Sequence, residues 1–170
     1  ARVVDDAHIY AIALDVSAVL ERDRALARQQ QLLRIVADLQ RDELTGRDSG
    51  PSIADALAGA LPLIGAHSGT VATIAHDPNG TRSTTCLASA GPDATCQPGT
   101  RTVLLEQVHL DVDAPEVRAT VLEVASAVAA TARPFAARSL DADSDDRPRH
   151  LLGLPIGAEA PAGVLGLIGD

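Results

Sequence analysis

The residues best suited to chemistry are five histidines and two cysteines, and their spacing does not group them into a recognised centre. No two histidines have the separation that would place a metal-binding pair on one helix face. His109 falls within a predicted strand and is the histidine expected to face a cavity, so it is a candidate ligand-binding residue. His67 precedes a predicted strand and His76 adjoins a turn, so both are interpreted as surface residues; no role is predicted for His8 or His150.

Cys86 and Cys96 have two interpretations. Their ten-residue separation is not the Cys-x-x-Cys pattern of redox proteins, and no neighbouring cation is evident that would lower a thiol pKa. This favours a buried strand cysteine and a separate loop cysteine, with Cys86 a second candidate ligand-binding residue. The alternative, a small cysteine-based redox enzyme, requires the two thiols within disulfide reach and a reactive thiolate.

Enzyme signatures are missing from the sequence. There is no Gly-x-Ser-x-Gly, no phosphate-binding loop and no dinucleotide fingerprint. The aspartates between positions 141 and 146 do not have EF-hand spacing, so we expect a solvated loop there rather than a metal site. We therefore expect a protein without catalytic residues, and the sequence identifies no cofactor.

Composition excludes two classes of partner. The net charge is −9, lysine is absent, and there are only one Phe, one Tyr and no Trp, which argues against nucleic acid and against an anionic membrane. No apolar run is long enough to span a bilayer and no signal peptide is evident. Two cysteines suit a reducing, cytoplasmic compartment, and the lack of methionine suggests a piece of a longer polypeptide.

A helix followed by a hairpin is the clearest structural pattern. Apolar residues at helical spacing predict a helix over Ile53–Ile64, ended by Gly65, with Ser52 and Asp55 as a capping pair. Next come two stretches rich in β-branched residues, separated by Asp77-Pro78-Asn79-Gly80, which predict a β-hairpin.

The N-terminal region predicts a short strand over His8–Leu14 and then a long helix over Ala18–Glu43. One apolar stripe on this helix has heptad spacing, although polar residues interrupt it. Two interpretations remain open, a weak parallel dimer interface and an amphipathic helix lying on its own domain. A second stripe predicts that the C-terminal half packs on the sheet; its members are Leu32, Ile35, Val36 and Leu39.

The remaining chain predicts four more strands and one helix. The third strand is expected over Arg101–Asp111, a helix from Pro115 to about Ala132, and a short strand over Phe135–Leu140. Two apolar runs, His150–Ile156 and Gly163–Ile168, predict a closing hairpin of central strands. The expected fold class is α+β, a mostly antiparallel sheet with helices packed against it.

This order of elements resembles a GAF domain. The matching stretches are Leu63-Ile64-Gly65-Ala66, the Asn-Gly hairpin, Ala88-Ser89-Ala90-Gly91, Ala130-Thr131-Ala132-Arg133-Pro134 and the closing hairpin. A weaker resemblance concerns Ala13-Leu14-Asp15-Val16-Ser17, which is similar to the exit of a PAS domain. The resemblance implies a PAS-like tail over residues 1–17, a linker and dimerisation helix over 18–44, and a GAF-like domain over 45–170.

The resemblance further implies a non-catalytic sensory or regulatory domain of a multidomain signalling protein. We expect a homodimer, a small-molecule ligand and an output domain in the same full-length chain. Some GAF domains bind haem through one histidine, the role that His109 would take. The cyclic-nucleotide signature requires lysine and the bilin signature requires a Cys-His pair, and neither is present. The alternative is a structural dimerisation module that binds no ligand.

Overall fold

The computed structural model describes residues 6–46, 49–93, 96–108, 117–140, 149–157 and 160–169, and for residues 6–18, 43 and 49 it describes the backbone alone. The helices in this part of the chain are α1 (Asp6–Leu44), α2 (Ser49–Ile64) and α3 (Val121–Thr131). The strands are β1 (Ser68–His76), β2 (Arg82–Ala90), β3 (Arg101–Val103), β4 (Arg118–Ala119), β5 (Phe135–Ser139), β6 (His150–Ile156) and β7 (Gly163–Gly169).

The strands form one sheet in the order β3-β2-β1-β7-β6-β5-β4. Every pair of neighbours is antiparallel except β4 and β5, which are parallel. The expected α+β class with a mostly antiparallel sheet is confirmed. The closing hairpin β6–β7 is also confirmed, and its two strands lie inside the sheet as their apolar composition predicts.

The first hairpin, β1–β2, turns where the sequence predicts. A carboxylate oxygen of Asp77 accepts hydrogen bonds from the backbone N–H groups of Asn79 at 2.9 Å and Thr81 at 2.8 Å. Gly80 has a φ of +85°, a conformation that glycine adopts without steric cost. The turn therefore fixes the register of the two strands that begin the sheet.

The two faces of the sheet are covered by different helices. On one face, Leu57 and Leu61 of α2 pack on Leu167 of β7. On the other face, Val124 of α3 packs with Leu151 of β6 and Ala137 of β5. The sheet is thus the middle layer of the domain, and its two faces have separate apolar clusters.

Helix α1 is longer than the sequence predicts. The expected helix over Ala18–Glu43 lies within it, but the predicted strand over His8–Leu14 is wrong, because these residues continue the same helix. Glycine and proline are absent from Asp6 to Leu44, and once a helix is nucleated each further residue adds a hydrogen bond at little cost. The β-branched and aromatic residues of this stretch are weaker signals than that continuity.

The prediction that the second stripe of α1 packs on the sheet is wrong, because its contacts are with helix α2. Leu32, Ile35 and Leu39 are half-buried, whereas Val36 is exposed. A Cβ added at Gly59 of α2 would lie 3.4 Å from Cδ1 of Ile35, so the two helices are in close contact there. The absence of a side chain at Gly59 lets α1 approach α2.

Helix α2 begins earlier than predicted. Pro51 is tolerated because the N–H groups of a first turn have no partner within the helix, and the helix starts at Ser49. Ser52 does not cap it; its hydroxyl donates to a carboxylate oxygen of Asp42 in α1, at 2.9 Å. The predicted end is confirmed, since Gly65 has a φ of +73° and the N–H of Ala66 donates to the Leu61 carbonyl.

Two further boundaries differ from the sequence prediction. The third strand ends at Val103, and residues 104–108 continue without strand structure. The helix predicted from Pro115 begins only at Val121, because Thr120 and Glu123 form a capping box, and Arg118–Ala119 instead form β4. Pro115 itself lies outside the described residues. The strand predicted over Phe135–Leu140 is confirmed as β5.

Candidate ligand-binding cavity

A cavity of about 290 Å³ lies between the sheet and α3. Its floor comes from β1, β2, β6 and β7, and its roof from the first turns of α3, including Val121 and Val124. This volume is close to the lower end of the range for small-molecule sites. The cavity is therefore large enough for a small organic ligand.

The lining is mainly small and apolar, and its polar members are hydroxyl and thiol groups and one carboxylate, that of Asp93. No arginine or histidine is among the lining residues that the structure describes, and the sequence has no lysine. The polar lining groups are Ser68, Thr70, Thr84, Cys86, Asp93, Cys96, Thr100 and Thr102. Such a lining can donate and accept a few hydrogen bonds, but it offers no described cation to an anionic ligand.

Two glycines that face each other across strands explain where the cavity ends and where it opens. Gly153 of β6 is the register partner of Gly166 of β7. A Cβ at Gly153 would lie 2.7 Å from the side chains of both Val124 and Val128, so α3 fills that position. A Cβ at Gly166 would meet nothing closer than the Thr70 carbonyl oxygen at 4.0 Å, so the floor is open there.

Helix α3 is held in place by hydrogen bonds at its start and its middle. The Glu123 N–H donates to the Thr120 hydroxyl at 3.2 Å, and the Thr120 N–H donates to the Glu123 carboxylate at 2.8 Å. The hydroxyl of Ser126, which is wholly buried, donates to the Leu122 carbonyl and accepts from the N–H of Leu105. These bonds hold both the roof and the segment after β3 beside the cavity.

Asp93, the one charged lining residue described, is neutralised within the domain. A carboxylate oxygen of Asp93 is 2.8 Å from the Arg149 guanidinium, and both side chains are partly exposed. The N–H of Asp93 donates to the Ser68 hydroxyl at 2.8 Å. The ion pair thus joins the loop after β2 to the start of β6 at the edge of the cavity.

Cys86 lies in β2 with only 2% of its surface exposed, and its thiol donates a long hydrogen bond to the Ala88 carbonyl. Burial, together with the neighbouring Cys96 thiol, raises the pKa of Cys86 to about 12. Cys86 is therefore protonated at neutral pH. This is the opposite of the thiolate that a nucleophilic cysteine requires.

The structure locates one of the two candidate ligand-binding residues, Cys86 and His109, that the sequence predicts. Cys86 lines the cavity, while His109 lies outside the described residues, so its contact with a ligand stays a prediction. Cys86 is the buried strand cysteine and Cys96 the loop cysteine that the sequence predicts, and the two are close enough for the Cys96 thiol to raise the pKa of Cys86. Asp93 and the lining threonines were not identified from the sequence. For Thr70 and Thr84, the available signal was the alternation of residues between the two faces of β1 and β2.

The strand order, the helix on each face and the cavity under α3 together define a GAF-like fold. The chain is similar to the crystal structure of the A. aeolicus nlh2 GAF domain in an inactive state, with a TM-score of 0.52. The two share 10% sequence identity, and the match covers 84% of this chain and 82% of that chain. At this identity the likeness concerns the fold alone.

Comparisons of sequence add no relative. No protein-family model matches the chain, and no curated protein matches it. None of the helices in the described ranges combines the length and apolarity needed to cross a membrane.

Proposed function

We propose that this chain is a non-catalytic sensory domain that binds a small, neutral, largely apolar ligand in the cavity under α3. The observation that carries the proposal is the cavity itself, an opening on one face of an otherwise packed GAF-like sheet. Its described lining has hydroxyls for one or two hydrogen bonds and no basic side chain for a phosphate or carboxylate. Burying an unpaired anion there would be costly, so a neutral ligand is favoured.

A regulatory role rather than catalysis is supported by the chemistry of the same groups. The raised pKa of Cys86 keeps its thiol protonated, and the carboxylate of Asp93 is paired with Arg149. The protonated thiol of Cys86 is not the thiolate that a nucleophile requires, and the carboxylate of Asp93 is engaged by the Arg149 guanidinium. A cysteine-based enzyme is accordingly the least favoured function.

Transmission of the binding event runs, in this proposal, from the sheet through α2 to α1. Gly69 of β1 borders the cavity, and a Cβ at that position would lie within 3.2 Å of Leu57 and Leu61 of α2. Helix α2 in turn contacts α1 at Gly59 and through the hydrogen bond from Ser52. A ligand that shifts β1 therefore has a packed path to the long helix, which biases two arrangements of that helix.

The partner proposed for α1 is a second copy of this chain. Val19, Leu26 and Leu33 repeat every seven residues and are 58%, 47% and 62% exposed. They lie on the side of α1 opposite to Ile35, which packs on α2, so the domain leaves them uncovered. A parallel pair of these helices would connect the domain to an upstream PAS-like domain and to an output domain of a longer, cytoplasmic signalling protein.

Ligand binding is tested with two dyes that differ by one charged group. N-phenyl-1-naphthylamine is neutral, and 8-anilinonaphthalene-1-sulfonate is the same framework with a sulfonate. We expect fluorescence enhancement with the neutral dye and a much weaker response with the anionic one. Gly166→Val, which fills the open floor, should abolish the response, whereas Ala75→Val on an exposed position of β1 should not.

Native mass spectrometry of the purified chain reports a retained ligand and the number of chains in the complex together.

Two outcomes of the dye experiment would contradict the proposed site: equal binding of both dyes, or binding of the neutral dye that survives Gly166→Val. If no dye and no retained molecule binds, the alternative of a structural dimerisation module gains support, since the cavity is near the smallest size for such sites.

Dimerisation is tested by sedimentation at micromolar concentration. We expect a dimer for the full chain and a monomer for Leu33→Asp or for a chain lacking residues 1–31. Gln31→Asp, which adds the same charge at an exposed position two residues away, should remain dimeric. A monomeric full chain would contradict the proposed pairing and leave the ligand proposal intact.

A further inference from the structure

We propose that Cys86 and Cys96 form a reversible disulfide bond at the wall of the cavity, with hydrogen peroxide as the oxidant. The proposal goes beyond ligand sensing and does not depend on it. It makes the same cavity responsive to oxidation of the chain.

The backbone holds the two cysteines together although nine residues separate them. The N–H of Cys86 donates to the Thr100 carbonyl at 2.9 Å, and its carbonyl accepts from the Gly99 N–H at 2.8 Å, so the chain returns alongside β2. The hydroxyl of Ser89 donates to the Cys96 carbonyl at 2.6 Å. Both cysteines line the cavity, and both are free thiols.

The surroundings favour a neutral product. Burial and the neighbouring thiol raise the pKa of Cys86 to about 12, so a sulfur anion is disfavoured at this position. No basic side chain is among the described residues that line the cavity, so a thiolate pair would have no countercharge there. A disulfide carries no charge and removes both thiols from an apolar wall.

The different exposure of the two thiols determines which cysteine peroxide oxidises first. Cys96 is half-buried and Cys86 is 2% exposed, so peroxide reaches Cys96 first. The Cys96 sulfur attacks one peroxide oxygen, the O–O bond breaks, and the leaving hydroxide takes the thiol proton to become water. The product is a sulfenic acid at Cys96.

The second step forms the disulfide bond. Because the Cys86 thiol is protonated, its proton passes to the departing hydroxide while its sulfur attacks the Cys96 sulfur and the S–O bond breaks, which gives a second water. In total the two thiols lose two electrons and two protons, and the peroxide is reduced to two waters. A dithiol reductant reverses the reaction by thiol–disulfide exchange.

The test uses the full chain, reduced and then treated with stoichiometric hydrogen peroxide. Trypsin cleaves after Arg82 and Arg101, so both cysteines are on one peptide. We expect that peptide to lose the mass of two hydrogen atoms and both alkylation sites, and to regain them with dithiothreitol. Cleavage before Asp93, which lies between the cysteines, should leave the two halves joined only in the oxidised sample.

Single variants identify the first residue to react. In Cys86→Ser the sulfenic acid at Cys96 should accumulate and be labelled by dimedone, and Cys86→Ala provides a second background if the serine variant fails to fold. In Cys96→Ser, dimedone should not label Cys86. Wild-type protein that keeps both alkylatable thiols, a disulfide that joins two chains, or dimedone labelling of Cys86 would each overturn the proposal.

Discussion

The two faces of the sheet differ in how completely they are filled. The face under α2 is tightly packed, since a Cβ at Gly69 would meet Leu57, Leu61 and Leu167 at 3.0 to 3.2 Å. The face under α3 is packed at Gly153 and open at Gly166, one strand away. The difference shows that the same sheet combines a packed support with a cavity, and that the position of the covering helix decides which points of a face are filled.

The largest expected change in the free energy of unfolding comes from a substitution on the face under α2. Leu61→Ala removes a side chain that is 4% exposed and should lower the free energy of unfolding by about 2 to 5 kcal/mol, because it leaves a cavity in packed surroundings. Urea unfolding followed by circular dichroism measures this change. The control is Leu44→Ala, at 88% exposure, which should change stability by less than about 0.5 kcal/mol.

The next largest change in stability is expected at Gly153, and its register partner Gly166 provides the comparison. Gly153→Ala places a methyl group against Val124 and Val128 and should cost about 1 to 3 kcal/mol. Gly166→Ala has room for the same methyl group and should be neutral or stabilising by up to about 1 kcal/mol, because the unfolded chain loses freedom. Equal losses in both variants, measured by the same unfolding experiment, would mean that the floor at Gly166 is not open.

The buried thiol of Cys86, on the face under α3, should change the free energy of unfolding with pH by about 1 kcal/mol. The pKa of Cys86 is raised from 9.0 to about 12, so the unfolded state releases this proton first as the pH rises. Stability from this group is complete below pH 9 and is lost as the pH rises toward 12. From pH 8 to pH 10, wild-type protein should lose about 1 kcal/mol more than Cys86→Ser does. Parallel pH profiles for the two proteins would contradict the burial of this thiol.

The smallest effect concerns the ion pair at the cavity edge. Arg149→Ala should lower the free energy of unfolding by about 0.5 to 1 kcal/mol, because both partners are partly exposed and water screens their attraction. The loss should shrink in 1 M salt. The exposed pair Arg41–Asp38 provides the comparison, and Arg41→Ala should cost less. A loss at Arg149 that does not depend on salt would indicate packing rather than charge.

Local patterns predicted the elements whose signals are local. The Asp77–Gly80 turn, the end of α2 at Gly65 and the closing hairpin each depend on backbone preferences of a few residues, and all three are confirmed. The start of α3 also has a local signal, Thr-x-x-Glu at Thr120 and Glu123, which outweighs the proline at 115. The predicted strand at His8–Leu14 is wrong because helix continuity outweighs the composition of that stretch.

The cavity could not be predicted in the same way. Gly153 and Gly166 have the same residue type in similar apolar runs, and only the position of α3 makes one filled and the other open. The contact between Cys86 and Cys96 depends on the path of the loop between them, which the spacing in sequence does not specify. The role of His109 as a ligand-binding residue stays a prediction.

Helix α1 has a mechanical consequence. Its 39 residues span about 58 Å at about 1.5 Å per residue. From Val19 to Gln31 every residue is exposed, and half-buried contacts with the domain begin at Leu32. This exposed stretch is a lever about 20 Å long, so a tilt of about 5° at its base moves its far end by about 2 Å and magnifies a small rearrangement at Gly59.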